Sequence, residues 1–310
     1  MNKIQTQAYS NNFASTNRRD LWWIETLATG FGFLCFVIYT TWAMLQANHY
    51  YAAPYLSPLY SPTLMIDPTA AGSAPVADAW YGAWPGWWPK FLPPSPAMLI
   101  LIGPLSFRLT CYYYRKFYYR SYFATPPACA VTPFPQKDYK GETHLLLFQN
   151  IHRYCLYIAI GYILILAYDA FRALFKHGEI GIGVGTIVLI INVLLLSNYT
   201  FGCHAFRHLM GGRLDCFSCA NGKEHYGGYS LWQKITRLNE HHMFWAWTSM
   251  IWVGFTDLYV RMVSMGLWHE VPPCAIDLRI FRHASYRGNG FSSYRVYRRY
   301  PSLPQRRLRP

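Results

Sequence analysis

The strongest constraint in this sequence is the recurrence of long apolar stretches, at about 21–46, 97–120, 146–174, 182–209 and 239–268. At about 1.5 Å of rise per residue, each can cross the roughly 30 Å of hydrocarbon in a bilayer. Lipid offers no partner to backbone N–H and C=O groups, so a chain that crosses it must pair them within helices or a closed barrel. Runs of this length read as helices. The expected fold class is therefore all-α, a polytopic membrane bundle of about five transmembrane helices over 21–268. A polar segment precedes it at 1–20, and a disordered basic tail follows at 269–310.

Composition agrees. Only 14% of the residues are charged and 18% are aromatic, against roughly 25% charged in soluble domains. The net charge of +14 admits nucleic-acid binding in principle, but the cations sit beside apolar spans, where they read as topology signals instead. The first apolar run is too long for a cleavable signal and lacks a small-residue cleavage site, so it is expected to stay as a helix.

The loop charges set an orientation. Arg18 and Arg19 flank the first span. Arg108, Arg115, Lys116, Arg120, Lys137 and Lys140 lie at or after the end of the second, and Arg207, Arg213, Lys223, Lys234 and Arg237 lie between the fourth and fifth. The loop at about 47–96 carries Lys90 alone. These counts put the N-terminus and the two basic loops in the cytoplasm. The Pro-, Tyr- and Trp-rich first loop then reads as an aromatic cap at the opposite interface. The nine arginines after Glu270 conflict with a C-terminus on that side, and the sequence offers no resolution.

With the spans oriented, chemistry-bearing residues collect at one depth. Cys111 ends the second span and Cys129 follows in the loop. His152 and Arg153 open the third span, Cys203, His204, Arg207 and His208 close the fourth, and His241 and His242 open the fifth. One interfacial histidine means little, but four helices offering Cys or His at one level suggest a redox centre between them. Haem b needs two facing axial ligands, for which His152 with His242, or His208 with His241, would serve. A Rieske-type [2Fe–2S] cluster needs two Cys and two His, and three cysteines at this depth favour it. Cys203 is the expected thiolate ligand, with Cys111 as its partner and Cys129 as the alternative. The nitrogens are expected from His152, His208, His241 or His242. Cys216 and Cys219 form a lone CxxC without a second ligand pair, a weak zinc signal. Asp257 with Arg261, and Asp169 with Arg172, read as ion pairs near the opposite interface. The spans hold no run of acids that a proton pump or ion transporter would use.

Several ordered motifs together resemble one family. They are Arg108 to Lys116 (RLTCYYYRK), Pro126 to Val131 (PPACAV), Asn150 to Tyr154 (NIHRY), Cys203 to His208 (CHAFRH) and Asn239 to Met243 (NEHHM), with Tyr55-Leu56-Ser57-Pro58 in the first loop. This set is similar to the single-chain, five-helix membrane anchor of actinobacterial-type succinate dehydrogenases, over roughly Leu21 to Trp268. The resemblance implies docking of an iron–sulfur subunit at the cytoplasmic face, with a flavoprotein subunit oxidising succinate. It also implies electron delivery to a quinone in the cell (inner) membrane and a Rieske-type cluster in the membrane part. Arg108, Tyr112, Arg153, Arg207 and Arg237 would meet the partner or the quinone headgroup. The chain is expected to lack a dicarboxylate site of its own: Gly181, Gly183 and Gly185 have no strand-then-helix nucleotide context and read as close packing between helices. The rival classes are a cofactor-free transporter and a purely structural anchor.

Overall fold

The structure is a computed structural model, and it describes residues 12–89, 91–135, 145–176, 179–211, 227–269 and 274–275. Helices dominate it, as the apolar runs require. They are α1 (Trp22–Gln46), α2 (Ala97–Ile100), α3 (Ile102–Thr110), α4 (Tyr112–Ser121), α5 (Leu145–Arg172), α6 (Val184–Phe201), α7 (His204–Gly211), α8 (Gly227–Glu240) and α9 (His242–Ser264). Among the described residues, Trp22–Gln46, Gln149–Arg172 and Val184–Phe201 are long and apolar enough to cross a membrane. The second expected span is apolar only over the fourteen residues Ala97–Thr110. The fifth is the 23-residue α9, which carries the charges Asp257 and Arg261 inside an otherwise apolar run.

Three of the five expected spans are broken, and the breaks fall beside the Cys and His residues. Cys111 is extended (φ −67°, ψ 131°) and separates α3 from α4. Gly202 and Cys203 separate α6 from α7. His241 separates α8 from α9. The α6–α7 break has a packing cause. A Cβ on Gly202 would lie 2.6 Å from the Asn198 carbonyl oxygen and 3.2 Å from that of Leu238. Only glycine lets the end of α8 come this close, and Asn239 Nδ2 then donates to the Gly202 carbonyl at 2.8 Å.

The first loop is a packed cap. Its short hairpin pairs β1 (Tyr51–Ala52) with β2 (Tyr55–Leu56). Tyr50, Leu59, Tyr60, Ile66 and Ala74 form a buried cluster with Ala43 of α1 and Ala97 of α2. Tyr50 and Tyr60 stack at 4.3 Å between ring centroids. Gly185, expected at a helix–helix contact, instead receives the ring of Tyr55, which a Cβ there would approach to 2.6 Å. The packing is close, but its partner is the cap.

Asp257 and Arg261 pair as expected at i, i+4 (2.7 Å), yet both are fully buried rather than interfacial. Asp257 also accepts from Tyr39 Oη at 2.7 Å and from Ser57 Oγ, while Arg261 donates to the Ala43 and Asn48 carbonyls. The pair therefore ties α9 to α1 and to the cap. Asp169 accepts from Ser61 Oγ of the cap, and Arg172 turns to Asp78 at 3.4 Å instead of Asp169. The cap supplies the partners that the local reading assigned within the helix.

Between α5 and α6, β3 (Phe175–Lys176) and β4 (Glu179–Ile182) form a hairpin that β5 (Cys274–Ala275) extends. The first described residues past the bundle thus pair into a sheet. The arginines of the tail, together with Cys216, Cys219, Arg213, Lys223, Lys137 and Lys140, lie outside the described residues.

Candidate metal centre

The helix breaks aim their residues at one another. Cys111, exposed to only 2%, sets its Sγ 3.7 Å from Nε2 of the equally buried His242. Cys203, exposed to 1%, sets its Sγ 3.4 Å from Nε2 of His152. Both cysteines lie in one buried cluster with Phe107, Tyr114, Tyr199 and Met250. Phe107 packs on His152 and Tyr199 on His242, and those two rings touch each other with centroids 5.4 Å apart. Two thiols and two imidazoles therefore converge in the interior of the bundle.

Each thiol begins a helix. Cys111 is the N-cap of α4, and Arg115 N donates to its carbonyl. Cys203 plays the same part for α7: Arg207 N donates to its carbonyl at 3.0 Å, and Ala205 N donates to its Sγ at 3.2 Å. A helix N-terminus presents partial positive charge and free N–H groups to the side chain that caps it.

The imidazoles are fixed by their neighbours. Thr110 Oγ1 lies 2.8 Å from His152 Nδ1. Phe107 stacks on the same ring, with centroids 4.7 Å apart and planes within 8°. Tyr199 stacks on His242 at 5.0 Å. Nδ1 of His242 is buried with no hydrogen-bond partner among the described residues. A polar atom left so costs on the order of 1–3 kcal/mol.

The other expected ligands fall elsewhere. His208 and His241 are exposed, and His208 Nδ1 faces Arg153 at 3.5 Å. Cys129 is exposed in a loop stitched to the N-terminal segment, where its carbonyl accepts from Arg18 and the neighbouring Ala130 carbonyl accepts from Thr16. Its Sγ lies 3.8 Å from Arg120 at the last turn of α4, whereas Cys111 is at the start of that helix. Among the described residues no three Cys, His, Asp or Glu side chains gather around a single metal position. The four inward residues form two Cys–His pairs instead.

The cations also divide. Arg108 turns inward, where it donates to Tyr114 Oη and, at 3.2 Å, to the Ala246 carbonyl and Ser249 Oγ. Its guanidinium also lies 4.9 Å from the centroid of the Tyr199 ring. Tyr112, Arg153 and Arg237 are exposed. Arg207 donates to Thr236 Oγ1 and covers the ring of Trp232, tying α7 to α8. Sequence reasoning missed Tyr199, Phe107 and Thr110 as walls of the centre. Only Thr110, beside Cys111 in its motif, carried a signal.

Next to the centre lies a chamber of about 300 Å³, walled by Phe33, Phe36 and Val37 of α1, Leu105 of α3 and Ile163 of α5. Arg108, Phe107 and Tyr199 also line it, and the last two are the rings that stack on His152 and His242.

A family profile described as actinobacterial succinate dehydrogenase subunit SdhC matches residues 24–266. The chain belongs to that family. The matched span contains every motif that carried the resemblance, and both Cys–His pairs lie inside it. A chain of the Mycobacterium smegmatis Sdh1 complex in the apo form has the same architecture. It is 36% identical, with a TM-score of 0.72, and the match covers 88% of this SdhC-family chain and 96% of that one. No curated protein sequence gives a significant match.

Proposed function

We propose that this chain is the membrane anchor of a succinate dehydrogenase complex, and that Cys111, Cys203, His152 and His242 hold a Rieske-type [2Fe–2S] cluster. Such a cluster would link a docked iron–sulfur subunit to a quinone by one-electron transfer. The observation that carries this reading is the pair of buried thiol–imidazole contacts at helix breaks, 3.7 and 3.4 Å. Two thiols and two imidazoles are the donor set of such a cluster. Both cysteines stand at helix N-termini, whose partial positive charge and free N–H groups face them, and His242 Nδ1 is buried without a hydrogen-bond partner among the described residues. The cluster, when bound, supplies one-electron transfer at a potential raised by its imidazole ligands.

A haem between His152 and His242 is supported less well. Phe107 and Tyr199 lie flat on those rings, and each Nε2 faces a thiol. A transporter gains no support either, because the buried carboxylate of the bundle, Asp257, is already paired with Arg261.

The remaining parts follow from the chain's own residues. The apolar chamber suits a quinone, with the guanidinium of Arg108 as a donor in its wall. Arg153 and Lys116, exposed on the loop side of the centre, suit an iron–sulfur subunit and lipid phosphates. The positive-inside rule puts that face, and the N-terminus, in the cytoplasm. A flavoprotein subunit would oxidise succinate outside the membrane, on the far side of the iron–sulfur subunit.

Replacing Cys203 by Ser in the assembled complex tests the reading. The cluster's spectrum and quinone reduction should both disappear while the bundle still assembles. Full spectrum and full activity in that variant would show that this thiol only packs.

A further inference from the structure

A second cavity, of about 390 Å³, lies at the opposite end of α5. Twenty residues separate His152 from Arg172, which is about 30 Å of helix and one hydrocarbon thickness. The cavity is therefore at headgroup depth on the membrane face away from the Cys–His centre.

Its wall has two characters. Leu56 of the cap with Leu164 and Ile165 of α5 form an apolar side, and Leu164 is open to the bilayer. The rim holds Arg172, Asp78 and Asp169 among the aromatic rings of Tyr51, Trp80, Tyr168 and Phe175. Arg172 reaches only one oxygen of Asp78, with both of its terminal nitrogens at a long 3.4 Å. The pair stays half-exposed, at 52% and 29%. Such a contact is worth little, so an incoming ligand can replace it cheaply. Asp169 is held by Ser61 of the cap.

We propose that this cleft binds a zwitterionic phospholipid carrying a primary ammonium, a phosphatidylethanolamine. The phosphate would take the guanidinium of Arg172, whose planar fork suits phosphate oxygens. The ammonium would take Asp78, and an acyl chain would run down the Leu164 side. The charge balance selects the headgroup. Among the described residues of its wall two carboxyl groups face one guanidinium, which disfavours an anionic lipid and favours a ligand that brings its own cation. The apolar wall selects a lipid over a soluble phosphate ester.

The test uses the purified complex, washed in detergent until bulk lipid is gone. Thermal stability is then read after adding phosphatidylethanolamine, phosphatidylglycerol or water-soluble glycerophosphoethanolamine. A rise of several degrees with phosphatidylethanolamine alone is the expected result. An equal rise with phosphatidylglycerol would overturn the charge argument. An equal rise with glycerophosphoethanolamine would show a solute site rather than a lipid site, and no rise with any of them would remove the site. Arg172→Gln and Asp78→Asn should each flatten the response and lower the phosphatidylethanolamine retained after washing. Unchanged retention and response in both would place any bound lipid elsewhere. Should either variant fail to assemble, the wild-type measurement decides by itself.

Discussion

Replacing Asp257 by Asn should destabilise the bundle more than any other isosteric change in α9. The residue is fully buried, and its carboxylate is the acceptor for Arg261 Nε, Tyr39 Oη and Ser57 Oγ. The amide keeps the shape but removes the charge that compensates a guanidinium exposed to only 1%. Arg261 would retain the Ala43 and Asn48 carbonyls, neither of which is charged. Breaking one partner of a buried pair costs about 3–5 kcal/mol. The retained carbonyls and the residual acceptor of Asn put the expectation at the lower end, about 3 kcal/mol, roughly a hundredfold in the folded-to-unfolded ratio. SDS titration of the detergent-solubilised complex reads this as an apparent unfolding free energy. The double replacement Asp257→Leu with Arg261→Met removes both charges, and Ala43 keeps its hydrogen bond from Tyr60 Oη at 2.6 Å. It should recover at least half of the single-variant loss. Losses that simply add in the double variant, or an Asp257→Asn protein as stable as wild type, would refute the view that charge pairing holds the cap to α9.

Three further outcomes follow from the centre. Gly202→Ala puts a Cβ against the Asn198 carbonyl, so the α6–α7 break must shift; cluster content should fall several-fold while membrane insertion, read by cysteine labelling of the first loop, stays normal. Thr110→Val removes the contact that fixes the His152 ring; loss of such an outer partner typically weakens metal binding by 10–100-fold, which chelator competition measures, and unchanged affinity would make Thr110 a packing residue. Cys129→Ser should leave the centre's spectrum untouched, because Cys129 belongs to the loop stitched to the N-terminal segment; a lost spectrum would return it to the ligand set.

The depth of the site was legible in the sequence, but its selection was not. Cys111, Cys203, His152 and His242 share a level because loop charges and span lengths put them there, and both signals are local to the chain. His208 and His241 share that level too, and only packing separates them from His152 and His242. The helix breaks make that choice: the turn at His241 leaves its own ring outside and starts α9 with His242 inward. A continuous helix over 239–268, as the apolar run suggests, gives no basis for preferring one neighbour. The hidden signal was Gly202, whose missing side chain permits the break before Cys203. The cap was misjudged for a related reason. Its Tyr and Pro residues read as interfacial, but Tyr50, Tyr55 and Tyr60 are nearly fully buried. The carboxylates they surround take their serine partners from the cap, some 108 to 200 residues away. Nothing within one helix reveals a partner that distant.

The most direct test of the central claim is pulsed EPR on the dithionite-reduced complex, prepared with ¹⁵N-labelled histidine. The account predicts a reduced-cluster signal of low average g with hyperfine coupling to two histidine nitrogens, reduced to one in His242→Cys and to one in His152→Cys. A signal without histidine coupling, or a Soret band in place of the EPR signal, would contradict it.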